Sequence, residues 1–179
     1  MTIGEFKDLS SAIQSLATAI SLGVGGWWVF RKYIRQQEDR PHIEFTADIN
    51  LIGVQGDYLI AELIATIENK GKVEHRMSEF DFDLNALYHG DHINIGEQWG
   101  GQVDFPHSIV EGSFLPMRSN FFFIAPGVKA KYSYIARVPK EASFLMLHCW
   151  FKYDYNRKYG HTAEKTVKVP NLDEIVQDT

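Results

Sequence analysis

The chain has 179 residues with a net charge of −5, 45% hydrophobic and 13% aromatic residues, and one cysteine. That is enough for one domain with a real core plus a short appendage, and a single cysteine excludes an intrachain disulfide. The mean hydropathy of −0.22 excludes a multi-span protein, so any membrane segment must be local. From Pro41 onward carboxylates outnumber basic side chains, which disfavours non-specific binding to nucleic acid; no duplex nucleic acid partner is expected.

After a short N-terminal segment (residues 1–8), no residue between Asp8 and Arg31 is charged. As a helix this stretch would be about 33 Å long, close to the hydrocarbon thickness. Residues 9–30 therefore read as one transmembrane helix in contact with the lipid bilayer. A signal peptide would carry its cations first, whereas Glu5, Lys7 and Asp8 come before the apolar run and Arg31, Lys32, Arg35 and Arg40 follow it. The positive flank places the C-terminal side in the cytoplasm of a plasma (inner) membrane, with the N-terminus outside. Trp27 and Trp28 sit where interfacial aromatics sit. Residues 31–40 read as a basic extension of the helix that stops at Pro41.

The helix has two unlike sides. Leu9, Ile13, Leu16, Ile20, Val24 and Trp27 share a broad apolar face. Gln14, Thr18, Ser21 and Gly25 cluster opposite, beside a row of small residues four apart, Ser11, Ser15, Ala19 and Gly23. Small rows let helix backbones approach, and an intramembrane Gln seeks a partner, so a homo-oligomer or a membrane protein partner is expected.

From residue 41 to 170 the dominant period is two, and a cytosolic all-β domain is expected. Ile43, Phe45, Ala47 and Ile49 alternate with polar residues, and after a turn at Gly53 to Asp57 the series Leu59, Ala61, Leu63, Ala65 and Ile67 follows. A third strand carries Phe80, Phe82 and Leu84. Tyr88 to Gly112 breaks the pattern and reads as a long insertion or broken strand pair, the place where a ligand surface is expected, with Trp99 at its centre. Ser113 to Ile124 reads as a strand containing an aromatic run. In the next strand Lys129, Lys131, Ser133 and Arg137 oppose Ala130, Tyr132, Tyr134, Ala136 and Val138. Phe144 to Phe151 reads as a central strand, Asp154 to Gly160 as a turn, and a last strand runs to Val169; residues 171–179 form an acidic tail. About seven antiparallel strands suggest an immunoglobulin-like β-sandwich, with a β-barrel as the alternative.

The chemistry is sparse. His89, His92 and His107, with Asp91 and Asp104, are the best metal candidates, but their spacing matches no strong signature and no metal is assigned. Cys149 follows His148, yet neighbours in a strand point to opposite faces, which argues for a core thiol rather than a nucleophile. The hairpin of Tyr153, Tyr155, Arg157, Lys158 and Tyr159, with Lys129, Lys131 and Arg137, could hold a phosphorylated small molecule. No glycine-rich phosphate loop, HExxH or GxSxG occurs, and neither cofactor nor enzymatic activity is expected. Two functions fit: a non-enzymatic, membrane-anchored binding or sensor module, or a ligand-triggered membrane-disrupting effector of a bacterial antiviral (phage defence) system whose helices cluster to permeabilise the bilayer.

Overall fold

The computed structural model describes residues 3–36, 41–96, 100–154 and 156–170. Arg40, Trp99, Tyr155 and the tail lie outside them. The chain divides into two units, Met1–Arg40 and Pro41–Thr179.

The first unit is one helix, α1 (Ile3–Gln36), long and apolar enough over Ile13–Lys32 to cross a membrane. Three glycines, Gly23, Gly25 and Gly26, do not interrupt it. Two hydroxyls on its polar side are satisfied within the helix: Thr18 Oγ1 donates to the Gln14 carbonyl at 2.9 Å and Ser21 Oγ to that of Ala17 at 2.8 Å. At its C-terminal part the Lys32 ammonium lies 5.4 Å from the centroid of the Trp28 ring.

The second unit is built of antiparallel strands. The first hairpin joins β1 (Ile43–Gln55) to β2 (Tyr58–Asn69), and β8 (Lys129–Pro139) pairs with the far side of β2, giving the order β1-β2-β8. The turn is tighter than the composition suggested. Gln55 pairs with Tyr58 across Gly56 and Asp57, and Gly56 takes φ of 58°, as a two-residue hairpin loop demands. Gly53 instead lies inside β1, at a register shift against β2.

The other main sheet follows β10-β9-β3-β6 through β3 (His75–Tyr88), β6 (His107–Ser113), β9 (Ala142–Tyr153) and β10 (Asn156–Lys168), with β7 (Phe121–Ile124) also on β3. A separate hairpin pairs β4 (Ile95–Gly96) with β5 (Gln102–Val103). As expected, β9 is central. The alternating series Leu59 to Ile67 and Phe80, Phe82 and Leu84 are fully buried, and with Leu147, Cys149 and Phe151 they form one core to which both main sheets contribute. Phe80 is its hub, with Phe45, Phe122, Phe151 and Tyr132 all within 6.4 Å between ring centroids.

Three segments depart from the sequence reading. Of the two readings of Tyr88 to Gly112, an insertion or a broken strand pair, its last part takes neither form alone: His107–Ser113 is a regular strand paired with β3, Leu84 opposite Val110. Its period is masked because Gly112 replaces a side chain: a Cβ there would come within 2.9 Å of the Phe82 ring. Between Ser113 and Phe121 the expected strand is interrupted by an excursion, so that β6 and β7 follow one track along β3 with a break between them. Finally, β10 starts already at Asn156, opposite Tyr153, and residues 157–159 bulge out before Gly160 resumes pairing with Lys152. A Cβ at Gly160 would overlap the Phe151 carbonyl oxygen, so only glycine admits this approach.

Candidate functional site

The basic face of β8 carries its charges as expected, but they are engaged. Across the β2/β8 pair the Lys129 ammonium is 3.6 Å from Glu68 and that of Lys131 is 3.3 Å from Glu62, while the Arg137 guanidinium lies over the Tyr58 ring at 5.3 Å. Lys70 pairs with Glu44 on the same sheet. This surface is a mixed-sign ladder rather than a cationic patch. Lys158 and the exposed Tyr159 lie on β10, in the other sheet, and Arg157 falls in the same bulge. The strand orders do not bring the two groups together, and Tyr153 is buried in the core.

The loop histidines are also separated in role. His107 Nε2 is 3.0 Å from Asp91 Oδ2, and its ring stacks on Tyr88 at 4.0 Å between centroids. Asp91 also accepts the Tyr88 amide at 2.7 Å, so its carboxylate closes the turn after β3. His89 and His92 are exposed. Among the described residues no three His, Cys, Asp or Glu side chains are grouped to hold a metal ion.

Cys149 faces the core, and burial, with the nearby Asp83 charge, pushes its thiol up to about 12. His148, on the opposite face of β9, sits with Nδ1 3.6 Å from Asp83 Oδ1. Interaction with Asp83, helped by Glu164, raises its pKa above the usual imidazole range against the opposing effect of burial. A cavity of about 160 Å³ lies over this pair, walled by Gln102, Val103 and Asp104 around β5 and by Glu164.

The larger cavities lie where β6 and β7 part. Opposite the break, β3 bulges between Ser78 and Asp81, and Glu79 takes φ of 51°, unusual for a residue with a side chain. Glu79 forms an ion pair with Lys152. One cavity of about 460 Å³ is bounded by Ser78, Glu79, Asp81, Ser113, Met117 and Asn120; a neighbouring one of about 480 Å³ is bounded by Arg76, Arg118, Ser119, Asn120, Phe121 and Asp154. They share Ser119 and Asn120.

Arg76 is held from two sides. Its Nε is 3.1 Å from Asp154 Oδ2, and its guanidinium carbon is 3.9 Å from the centroid of the Phe121 ring. Phe121 and Phe123 stand exposed beside each other, centroids 5.4 Å apart, while Phe122 and Ile124 turn inward. The turn Pro116–Ser119 closes with the Ser119 amide donating to the Pro116 carbonyl at 2.8 Å and leaves Met117 and Arg118 in solvent. Two arginines, a hydroxyl, an amide and an aromatic ring thus border one concave surface, a composition suited to an anionic ligand. The sequence reading missed this group because its members come from distant segments. The available signal was Pro116 with Ser119 and Asn120, turn residues inside a supposed strand.

No protein-family model matches the chain, and no curated protein matches it in sequence. Among solved structures, a candidate ApaA protein from Bordetella pertussis is similar over 74% of this chain and 97% of that one, at 12% identity and a TM-score of 0.45. Spo0M, a sporulation control protein from Bacillus subtilis, is similar over 70% of this chain and 48% of that one, at 10% identity and 0.42. A calcium-binding mutant of Bacteroides uniformis β-glucuronidase 2 is similar over 69% of this chain but 13% of its own, at 7% identity and 0.41.

Proposed function

We propose that this chain is a single-pass membrane protein whose cytosolic β body, an immunoglobulin-like sandwich, is a non-enzymatic binding or sensor module. The observation that carries the reading is the helical span Ile13–Lys32, 20 residues of mean hydropathy 1.3, whose large apolar side chains, Ile13, Leu16, Ile20, Leu22 and Val24 among them, are all exposed within the protein. Hydrocarbon is the environment in which such a surface is stable. The inner-membrane location with the C-terminal side cytoplasmic is supported by Arg31 and Lys32, the last two residues of that span. Two antiparallel sheets sharing one core, with the edge strands β1 and β10 in separate sheets and not hydrogen-bonded to each other as strands among the described residues, support the sandwich over a barrel.

Self-association of the helix belongs to the same proposal and is narrowed by the internal bonding of Thr18 and Ser21. With those hydroxyls satisfied, the amide of Gln14 and the open space beside Gly23 and Gly25 are what a second helix would use. Alkaline carbonate extraction of expressing cells should leave the full chain in the membrane pellet; its release into the supernatant would refute anchoring. In the same membranes, replacing Gly23 and Gly25 together by Leu should sharply reduce crosslinked dimer, and undiminished crosslinking would remove self-association.

A further inference from the structure

We infer that the cavity bordered by Arg76, Arg118, Ser119, Asn120 and Phe121 binds a phosphate monoester, which rests on the reading of the β body as a binding module and names its ligand chemistry. Arginine forks match phosphate oxygens bidentately, and here two of them, from β3 and from the excursion between β6 and β7, reach one cavity. Arg118 is exposed and makes no ion pair among the described residues. The lysines of the β8 face are set against Glu62 and Glu68, so the anion-binding capacity expected of them lies instead at Arg118, with Arg76, itself on Asp154, beside it.

Ser119 and Asn120 add uncharged donors of the kind that fix orientation, and about 480 Å³ is within the range of small-molecule sites. Phe121, exposed at the border of the cavity, adds apolar surface for whatever the phosphate carries. The only carboxylate bordering this cavity among the described residues, that of Asp154, is on Arg76 at 3.1 Å. A bound phosphate would draw on the same guanidinium, so Asp154 opposes the ligand and its removal has a sign that a structural role does not predict.

The phosphate could be that of a soluble metabolite or of a lipid headgroup, and two arms separate them. The full chain in nanodiscs of phosphatidylcholine is unfolded thermally against adenosine monophosphate, with adenosine as the uncharged control; in the second arm the discs contain phosphatidic acid. Stabilisation by the monophosphate and not by adenosine identifies a soluble source, and stabilisation by phosphatidic acid alone identifies the headgroup. In either arm Arg118→Ala should weaken the effect about tenfold, the loss expected for one charge-assisted contact, and Asp154→Asn should strengthen it. Arg118 is exposed, so its replacement leaves the fold intact. No stabilisation in either arm, or stabilisation indifferent to Arg118→Ala, overturns the inference. Carbonate extraction of the same variant reports on anchoring separately, so failure of one reading is not mistaken for failure of the other.

Discussion

The side-chain amide of Asn69, at the end of β2, donates to the carbonyl of Ile124, at the end of β7, at 2.9 Å, and so ties the two main sheets together. The same amide donates to the Val73 carbonyl at 2.9 Å, and its oxygen accepts the Gly71 amide at 2.9 Å. Asn69 is fully buried, so truncation leaves three backbone groups without their partner. Asn69→Ala should lower stability by about 2–4 kcal/mol, read as a fall in the thermal midpoint. An unchanged midpoint would mean that water replaces all three bonds.

Gly160 and Gly112 make opposite kinds of room. At Gly160 the obstacle is the Phe151 backbone, which cannot turn aside; at Gly112 it is the Phe82 ring, packed against Phe114 and Tyr134. Gly160→Ala should therefore break the β9/β10 register near Lys152 and cost roughly 2–3 kcal/mol, more than Gly112→Ala, in which the ring shifts by tenths of an ångström. Parallel chemical denaturation of the two variants orders them; a reversed order would contradict the assigned pairing.

Acid should destabilise the β body through two histidines. Burial holds His75 and His161 below the ordinary imidazole pKa of 6.5, so the unfolded chain takes up protons that the folded chain refuses. Their contribution is complete above about pH 6.5 and is lost as pH falls toward their folded values. His148 works in the other sense: its raised pKa gives stability that is full below pH 6.5 and lost as pH rises through the folded value. Thermal midpoints between pH 7.5 and 5 should fall in the wild type, fall less in a His75→Phe, His161→Phe variant, and fall more steeply in His148→Gln.

Cys149 should be inert while the protein is folded. With its thiol pushed up to about 12 and its side chain fully buried, neither thiolate nor access is available at pH 8. A chromogenic disulfide reagent should label the thiol only in denaturant, and its rate should track unfolding. Rapid labelling of the native chain would place Cys149 at the surface and reverse the face assigned to His148.

Much of the fold was legible because burial in strands leaves a period of two. Leu59 to Ile67, Phe80 to Leu84 and, in β8, Tyr132, Ala136 and Val138 displayed their inward face in one dimension, while Tyr134 of the same series stays exposed, and Cys149 could be placed in the core by parity alone. The apolar helix was legible for a simpler reason, since an uncharged run has a length that can be compared with a bilayer. What failed was wherever the determining contact is distant in sequence. Gly112 interrupts a pattern because Phe82 occupies its space, and β6 was hidden with it. The charges of Lys129 and Lys131 look available until β8 is laid beside β2 and Glu62 and Glu68 meet them.

The sequence by itself determined the presence of a span-length helix and the all-β character of the rest, because hydropathy and periodicity are local properties of the chain. Only the tertiary structure decided which cations are set against carboxylates and which border a cavity. Arg76 and Arg118 share a cavity because β3 bulges at Glu79 where the strand track of β6 and β7 breaks, and strand pairing is a relation between segments that neither segment carries alone.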